Sequence, residues 1–600
     1  MALAAETAAV GAGDRNHPGW IQALTDDGMP LGPPEHAEDL PAAVAERERE
    51  VGPRWVWASG EDDYSLLVRA GVRVARCHDA ALVEVILLGR EGRHEAPHSL
   101  AAASARLHGL PAPPDSPRAA PEEQSALFGL DAAADAPDAA HRLRMLVEVY
   151  ADQVQRIAAQ EREAPGLRLL AAAESAGALV AAEIAADGLP WRVDVHDAVL
   201  SEMLGPRPFG DARPAKLADL AVRVGEAFGH APGRGFNPDS PGQVLKALRY
   251  AGFQVSSTRA WHLRGLNHPG VELLLEYKEL SRLHTAHGWT WQDNWIRNGR
   301  YYPEYVVGGV VTGRWATRNS GALQIPRIMR RAVVADQGWK LVVADAGQLE
   351  PRVLAAVSGD TGLARAAGEG DLYAALAAEA FDGDRAAAKL GLLGAMYGQT
   401  SGGIGPLLAV LRTRFPAAMG FVEEAARAGE SGRVVRSRLG RACPAPSRRW
   451  RAAVTGMGGE EERAEEGGVG EPGFDDAEAD GEGDAAADFG RQSAQAARAR
   501  GRFTRNFVIQ ATAAEWALVW LALLRRELAA LAAANPGLPA PRLVFFVHDE
   551  VVVHTPQEVA AEVAEAVTTA ADQARLFVFG PTPVRFPLVT AVVDCYADAK

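Results

Sequence analysis

Two apolar runs, Leu543-Val544-Phe545-Phe546-Val547 and Val551-Val552-Val553, stand on either side of the polar triplet His548-Asp549-Glu550. β-Branched and aromatic runs parted by so short a polar patch read as a β-hairpin, with the acidic pair at a rigid turn. Negative charge held there is costly unless a cation or partner compensates it. The choice is between a metal-holding turn and an ordinary surface turn. A second run, Lys340-Leu341-Val342-Val343-Ala344-Asp345, also brings an aspartate to a strand end, and Arg352 to Val357 reads as a helix beyond it. Two strand-end aspartates far apart in sequence are what a two-metal site needs. Two Mg²⁺ ions about 4 Å apart can activate an attacking oxygen and stabilise a leaving one in phosphoryl transfer. The plainer alternative is that Asp345 caps the helix that follows.

Between these runs lies Arg385-Ala386-Ala387-Ala388-Lys389-Leu390-Gly391-Leu392-Leu393-Gly394-Ala395-Met396-Tyr397. Positions 385, 389, 393 and 397 recur every four residues, so a helix carries them as one slowly drifting stripe. Cations one turn apart repel unless an anion lies between them, and a triphosphate meets that need. A solvated basic face is the alternative. Gly391 and Gly394 each weaken a helix by about 1 kcal/mol relative to alanine, which suits a helix that moves or lets a ligand approach closely.

In this order the three segments resemble motifs A, B and C of family A DNA polymerases, the bacterial DNA polymerase I group. Val311-Thr312-Gly313-Arg314 and Leu323-Gln324-Ile325-Pro326 are similar to the segment before motif A, and Arg502, Asn506 and Gln510 match the helix that contacts template and primer. The similarity runs from about residue 235 to the C-terminus, apart from one insertion. It implies an α/β multidomain fold, a right hand of palm, fingers and thumb behind a shortened RNase H-like exonuclease domain. The implied partners are primer-template DNA and deoxynucleoside triphosphates.

The resemblance assigns roles residue by residue. Asp345 and Asp549 would hold two Mg²⁺ ions, Glu550 would support the site, and His548 would approach the primer end. Arg385 and Lys389 would bind the incoming triphosphate, with Lys389 also a proton donor to departing pyrophosphate. Leu393 and Tyr397 would face sugar and base beside Gln348, and Glu350 matches the steric gate against a ribose 2′-hydroxyl. Arg314 would reach the minor groove. Such catalysis is positioning plus charge stabilisation. Three residues depart from the family pattern: Ala346 replaces a usual tyrosine, Pro351 an aliphatic residue and Leu393 an aromatic one. Proline is tolerable in a first helical turn, whereas losing the ring at 393 removes a stacking surface.

The first 155 residues resemble the family's 3′→5′ exonuclease domain with its carboxylates depleted. The strand Arg54-Trp55-Val56-Trp57-Ala58 is followed by no Asp-x-Glu. Cys77-His78-Asp79 is similar to the middle motif, and Tyr150 stands where the last motif has a metal-binding aspartate. One or two remaining carboxylates cannot assemble a two-metal exonuclease site, and the chain has no room for a 5′-nuclease domain. A chain of 600 residues needs several cores. The expected division is a degenerate exonuclease-like domain over 1–155, thumb and connecting helices over 156–300, and palm and fingers over 301–600, with the fingers at about 365–500. Asn237 to Gln243 marks a loop and helix start, with the helix running to Ala251.

A net charge of −15 sits badly with DNA binding, but residues 452–490 hold 13 acidic residues and one arginine. The remainder carries 64 acidic and 61 basic residues, and arginines crowd both flanks, Arg433 to Arg451 and Arg491 to Arg505. These flanks can supply phosphate contacts. The acidic segment has too few apolar residues to offset its ordering entropy and reads as a disordered insertion. It is either a solvated loop or a DNA mimic lying over the neighbouring arginines.

Cys77, Cys443 and Cys595 show no metal spacing and fit a reducing compartment. No apolar stretch reads as a membrane span. The expectation is a cytoplasmic, nucleoid-associated monomer that extends primers in repair or gap filling without proofreading. Two rivals are a single-subunit RNA polymerase, which Glu350 and Glu550 disfavour, and a decayed DNA-binding scaffold, which the intact Asp345, Asp549, Arg385, Lys389 and Tyr397 disfavour.

Overall fold

Five short strands within the first eighty residues form a mixed sheet: β1 (Ala2–Ala5), β2 (Gly19–Gln22), β3 (Glu35–Ala37), β4 (Arg54–Trp57) and β5 (Arg76–Asp79), in the order β3-β2-β1-β4-β5. β1 runs antiparallel to β2 and parallel to β4, which is parallel to β5. The structure, a computed structural model, describes residues 1–6, 17–115, 138–210, 212–230, 235–318, 325–368, 370–399, 403–455 and 485–599. Among the described residues, the tryptophan-rich strand expected at 54–58 is the fourth in chain order. The true first strand, Ala-Leu-Ala-Ala, escapes sequence reading because alanine has little β-propensity.

Three of the helices packed on this sheet lead toward the main core. The first, α1 (Ala80–Arg90), is capped by Asp79, whose Oδ1 accepts from Leu82 N at 3.0 Å. The second, α2 (Ala139–Ala158), packs on β1 and passes through position 155. The third, α3 (Ala164–Asp187), contributes Leu179 to the N-terminal core and Leu167, Leu170 and Ile184 to the main core. Beyond it α4 (Ala215–Ala227) packs on α5 (Pro269–His287). The helix start read at Asn237 to Gln243 is present: Ser240 Oγ caps Pro241–Tyr250 by accepting from Gln243 N.

The C-terminal half is built around a second sheet. Its strands are β6 (Trp339–Ala346), β7 (Arg542–Val547), β8 (Glu550–Pro556) and β9 (Leu588–Val593), in the order β7-β8-β6-β9 and antiparallel throughout. Leu341, Val342, Val343 and Ala344 of β6 and Val551, Val552 and Val553 of β8 are buried, as unbroken apolar runs require of strands covered on both faces. Between β6 and β7 come α6 (Leu349–Val357), the short helix Thr361–Ala366, α7 (Leu372–Ala380), α8 (Arg385–Tyr397), α9 (Ile404–Arg414), α10 (Pro416–Glu430), α11 (Arg448–Thr455) and the 50-residue α12 (Ala485–Ala534). Then α13 (Ala560–Phe579) packs on α12, where Val567 O accepts from Trp520 Nε1 at 3.1 Å.

Two expectations change here. Among the described residues, the helical stretches Glu161–Asp187 and Arg491–Ala534 are long and apolar enough to cross a membrane, although no such stretch was expected; both are mostly buried inside the protein. Their alanine and leucine content comes from packing on several sides at once. The disorder expected over 452–490 does not hold at its ends, where 452–455 close α11 and 485–490 open α12; residues 456–484, with the DNA-mimic reading, lie outside the described residues, as do Leu323 and Gln324.

Candidate active site

The hairpin read from the apolar runs is formed by β7 and β8, with His548 and Asp549 at its turn. His548 adopts φ +52, a left-handed conformation uncommon outside glycine. In register, Asp345 lies directly opposite Glu550 on β8 and opposite Val589 on β9. Ala346 N donates to Asp549 O at 2.9 Å. The backbones that carry Asp345 and Asp549 are thus locked at neighbouring strand ends. Asp345 does not cap the following helix: the N-cap of α6 is Gln348, at φ +58 and making no side-chain cap bond. Left-handed non-glycine residues cluster where surrounding structure over-determines them. Of five among the described residues, His548 adjoins Asp549 and Gln348 follows Asp345 by three positions.

Glu550 points into the protein. It is buried, accepts from Tyr596 Oη at 2.8 Å and lies 3.4 Å from Arg330 Nη1, while that guanidinium stacks 4.2 Å over the Tyr596 ring. Burial, followed by the charge of Glu550, pushes the Tyr596 phenol well above its ordinary value. Glu550 therefore supports the turn from beneath.

The donor set at the strand ends is hard carboxylate oxygen. Among the described residues no three or more His, Cys, Asp or Glu side chains gather as a metal cage. Two carboxylates suit a cation whose remaining ligands are phosphate and water oxygens, as magnesium is held at phosphate-transfer sites. Asp345 and Asp549 fit that role.

Helix α8 is tied to the segment after β6 at both ends. At its C-terminal end Tyr397 Oη donates to Glu350 Oε2 at 2.7 Å, and the other Glu350 oxygen pairs with Arg314. Burial, then the bond to Glu350, raises the Tyr397 phenol pKa. At its N-terminal end Arg385 Nε donates to Asp371 Oδ2 at 2.9 Å, and Gln348 Nε2 donates to Asp371 Oδ1 at 2.7 Å. Desolvation of Asp371 works upward, but the bonds from Gln348 and Arg385 outweigh it and hold the carboxyl at about 2. Arg385, Lys389 and Tyr397 are exposed and Leu393 is half-buried, so the stripe spaced by four faces outward. Lys389 forms no ion pair with a described residue.

The glycines of α8 have a different reason from the one expected. A Cβ on Gly394 would lie 3.0 Å from Ile404 Cγ2, and one on Gly391 would lie 3.2 Å from Leu407 Cβ. They let α8 pack closely on α9, on the side away from the exposed stripe.

On the other flank Gly313 adopts φ +83, and a Cβ there would fall 2.7 Å from the Arg441 guanidinium. Next to it Arg314, Trp315, Ala514, Ala517, Leu518, Phe546 and His548 line a small cleft. Partial desolvation, then the charge of Arg314, lowers the His548 pKa. Arg502, Asn506 and Gln510 occupy successive turns of α12; Arg502 is exposed and packs against Gly398, the left-handed cap of α8. Asn506 Oδ1 is buried without a hydrogen-bond partner among the described residues.

Sequence reading missed Asp371 and Arg352. Arg352 is fully buried and donates to the carbonyls of Gly347, Ala367, Gly370 and Arg585, which fixes the loops around Gln348. Neither has a local signature: an arginine inside an apolar helix and an aspartate before one read as surface and cap.

In the N-terminal sheet Asp79 is buried, capping α1 and accepting from Gly60 N at 2.6 Å. Burial raises its carboxyl to about 6. Tyr150 packs edge-on to His78 at 4.8 Å, and Gln153 bonds the His78 ring at 2.8 Å. Glu6, following β1, bonds His36 at 3.0 Å.

Residues 215–590 match the family model described as DNA polymerase family A. The DNA polymerase I of Chloroflexus aurantiacus is 28% identical over 274 residues, covering 39% of this chain and 29% of that protein. The thermostable DNA polymerase I of Thermus filiformis is 36% identical over 159 residues, covering 23% and 18%. That of Thermus thermophilus is 28% identical over 325 residues, covering 48% and 35%. The chain thus spans about a third or less of these relatives' lengths. A solved structure, the POL domain of Pol1 from M. smegmatis in complex with DNA primer-template and dNTP, superposes with a TM-score of 0.67 at 18% identity, covering 99% of this chain and 95% of that one. At that identity the likeness speaks for the fold.

Proposed function

Since the chain belongs to DNA polymerase family A, we propose that it is a template-directed DNA polymerase that adds deoxynucleotides to a primer 3′-hydroxyl. The observation that carries this reading is the docking of both ends of α8 onto the segment after β6, through Tyr397–Glu350 and Arg385–Asp371–Gln348. A helix bearing two outward cations is thereby set against the strand end bearing Asp345.

In this reading Arg385 and Lys389 bind the triphosphate, and Lys389, exposed and without an ion-pair partner among the described residues, can give its proton to the departing pyrophosphate. Glu350, held by Tyr397 and Arg314, blocks a ribose 2′-hydroxyl beside Gln348 and Leu393. Arg314, His548, Arg502, Asn506 and Gln510 contact the primer-template. Two Mg²⁺ ions at Asp345 and Asp549 would supply charge stabilisation at the attacking and leaving oxygens. The protein's own part is to fix these groups in place before reaction.

The β6–β9 sheet serves as the palm, residues of about 365–500 as the fingers, and the helices of 156–300 as the thumb. The N-terminal sheet over 1–155 serves as an exonuclease-like domain without nuclease activity: Asp79 is engaged as a helix cap, Tyr150 packs on His78, and β1 has no acidic residue. Repair or gap filling in the cytoplasm is the role that follows.

Primer extension with Mg²⁺, deoxynucleotides and a labelled primer-template tests the reading, with Asp549→Ala beside the unaltered chain. Extension lost in the variant, and no primer shortening without nucleotides, is the expected result. Absent extension with retained DNA binding would make the protein a scaffold. Shortening would show an active exonuclease.

A further inference from the structure

Asp371 itself carries none of the metal, nucleotide or DNA roles, yet its carboxylate joins the two sides of the site. Oδ1 accepts from Gln348 Nε2 at 2.7 Å and caps α7 through the N–H groups of Tyr373 and Ala374, at 2.9 and 3.2 Å. Oδ2 accepts from Arg385 Nε at 2.9 Å. Gln348 is itself pinned, its Oε1 accepting from Leu372 N at 2.9 Å and lying 3.3 Å from Arg352 Nη2. The Arg385 guanidinium also lies 5.7 Å over the Tyr373 ring. The carboxylate engages Nε alone, so the two Nη groups, the edge that recognises phosphate in a fork, have no hydrogen-bond partner among the described residues.

We propose that Asp371 is a positioning residue for the incoming nucleotide: it grips Arg385 by the Nε edge and presents the Nη edge to the triphosphate in fixed register with the Asp345 strand. The inference rests on the polymerase reading above. An arginine left free must be ordered when the phosphate binds, which weakens binding by about two- to tenfold. A mere electrostatic effect has the opposite sign, because removing an anion beside a polyphosphate site strengthens binding.

Asp371→Asn separates the two. Asparagine is as good a helix cap as aspartate, so its amide oxygen keeps α7 in place while its NH₂ meets Arg385 Nε and ends that bond. The expected result is a rise in KM for deoxynucleotide of about two- to tenfold, the cost of ordering the side chain, with kcat changed by less than about twofold, the pattern of lost uniform binding. Calorimetric affinity for inorganic tripolyphosphate with Mg²⁺ should fall by the same factor, and Asp371→Ser, which also caps, should repeat both changes. In an Arg385→Ala background Asp371→Asn should no longer weaken binding. Unchanged or tighter tripolyphosphate binding, or an undiminished effect without Arg385, would overturn the assignment. If the unaltered chain binds tripolyphosphate but extends no primer, the polymerase reading fails, and the tripolyphosphate comparison still decides the role of Asp371.

Discussion

Glu515 offers a test of how α12 is fastened beneath the cleft. It is fully buried, with Oε1 accepting from Ser437 Oγ and Oε2 accepting from Leu439 N at 2.9 Å. Ser437 Oγ in turn accepts from Arg441 N at 2.9 Å, and the Arg441 guanidinium adjoins Gly313. Burial raises the Glu515 carboxyl from 4.5 to about 7, against the bonds from Ser437 and Leu439 and the charge of Arg441. For an acid raised in the folded state, both states are protonated below about 4.5 and no penalty exists. Between 4.5 and 7 the unfolded chain ionises first, so stability falls as pH rises. Above 7 the loss is complete, at about 3 kcal/mol.

Glu515→Gln imitates the protonated acid, since its amide can accept from Leu439 N and donate to Ser437 Oγ. At pH 5 the variant and the unaltered chain should melt within a degree or two of one another. At pH 8 the variant should melt higher, by on the order of 5 °C, as measured by thermal shift in matched buffers. Comparing the pair cancels other titrating groups distant from this contact, including Asp63 and Asp79, each raised to about 6 by burial. An offset equal at pH 5 and pH 8, or a lower melting temperature for the variant at pH 8, would refute the assignment.

Gly394→Ala gains about 1 kcal/mol of helix propensity but places a Cβ 3.0 Å from Ile404 Cγ2. Overpacking of about 1–3 kcal/mol should prevail, so thermal unfolding should show a net loss. Arg525 bonds Glu183 at 2.7 Å and donates to the carbonyls of Val74 and Ala75. Arg525→Met leaves the buried Glu183 with Arg73 as its remaining ion-pair partner; a loss of up to about 3–5 kcal/mol should appear as faster limited proteolysis between the N-terminal sheet and α12.

What the sequence made legible, and what it hid, divides along the range of the interactions. The hairpin around Asp549 and the strand that carries Asp345 were readable because apolar runs bounded by polar residues report a buried strand locally. The stripe at 385, 389, 393 and 397 was readable because helical period is also local. The first N-terminal strand was not, because Ala2–Ala5 pairs through its backbone and its neighbours supply the β context. The glycines of α8 were misread for a related reason: a small residue states that something comes close, and only the fold says that it is Ile404 and Leu407 and not a ligand. Asp371 and Arg352 lie furthest from sequence reading. Their partners are set by how α6, α7 and the loop before β9 meet, so their chemistry exists only once those elements are packed. Arg352 holds four carbonyls from three separate segments, and Gln348, which bonds both Arg352 and Asp371, transmits that rigidity to Arg385. A site whose visible residues are carboxylates and cations thus depends for its geometry on two residues that no local pattern marks.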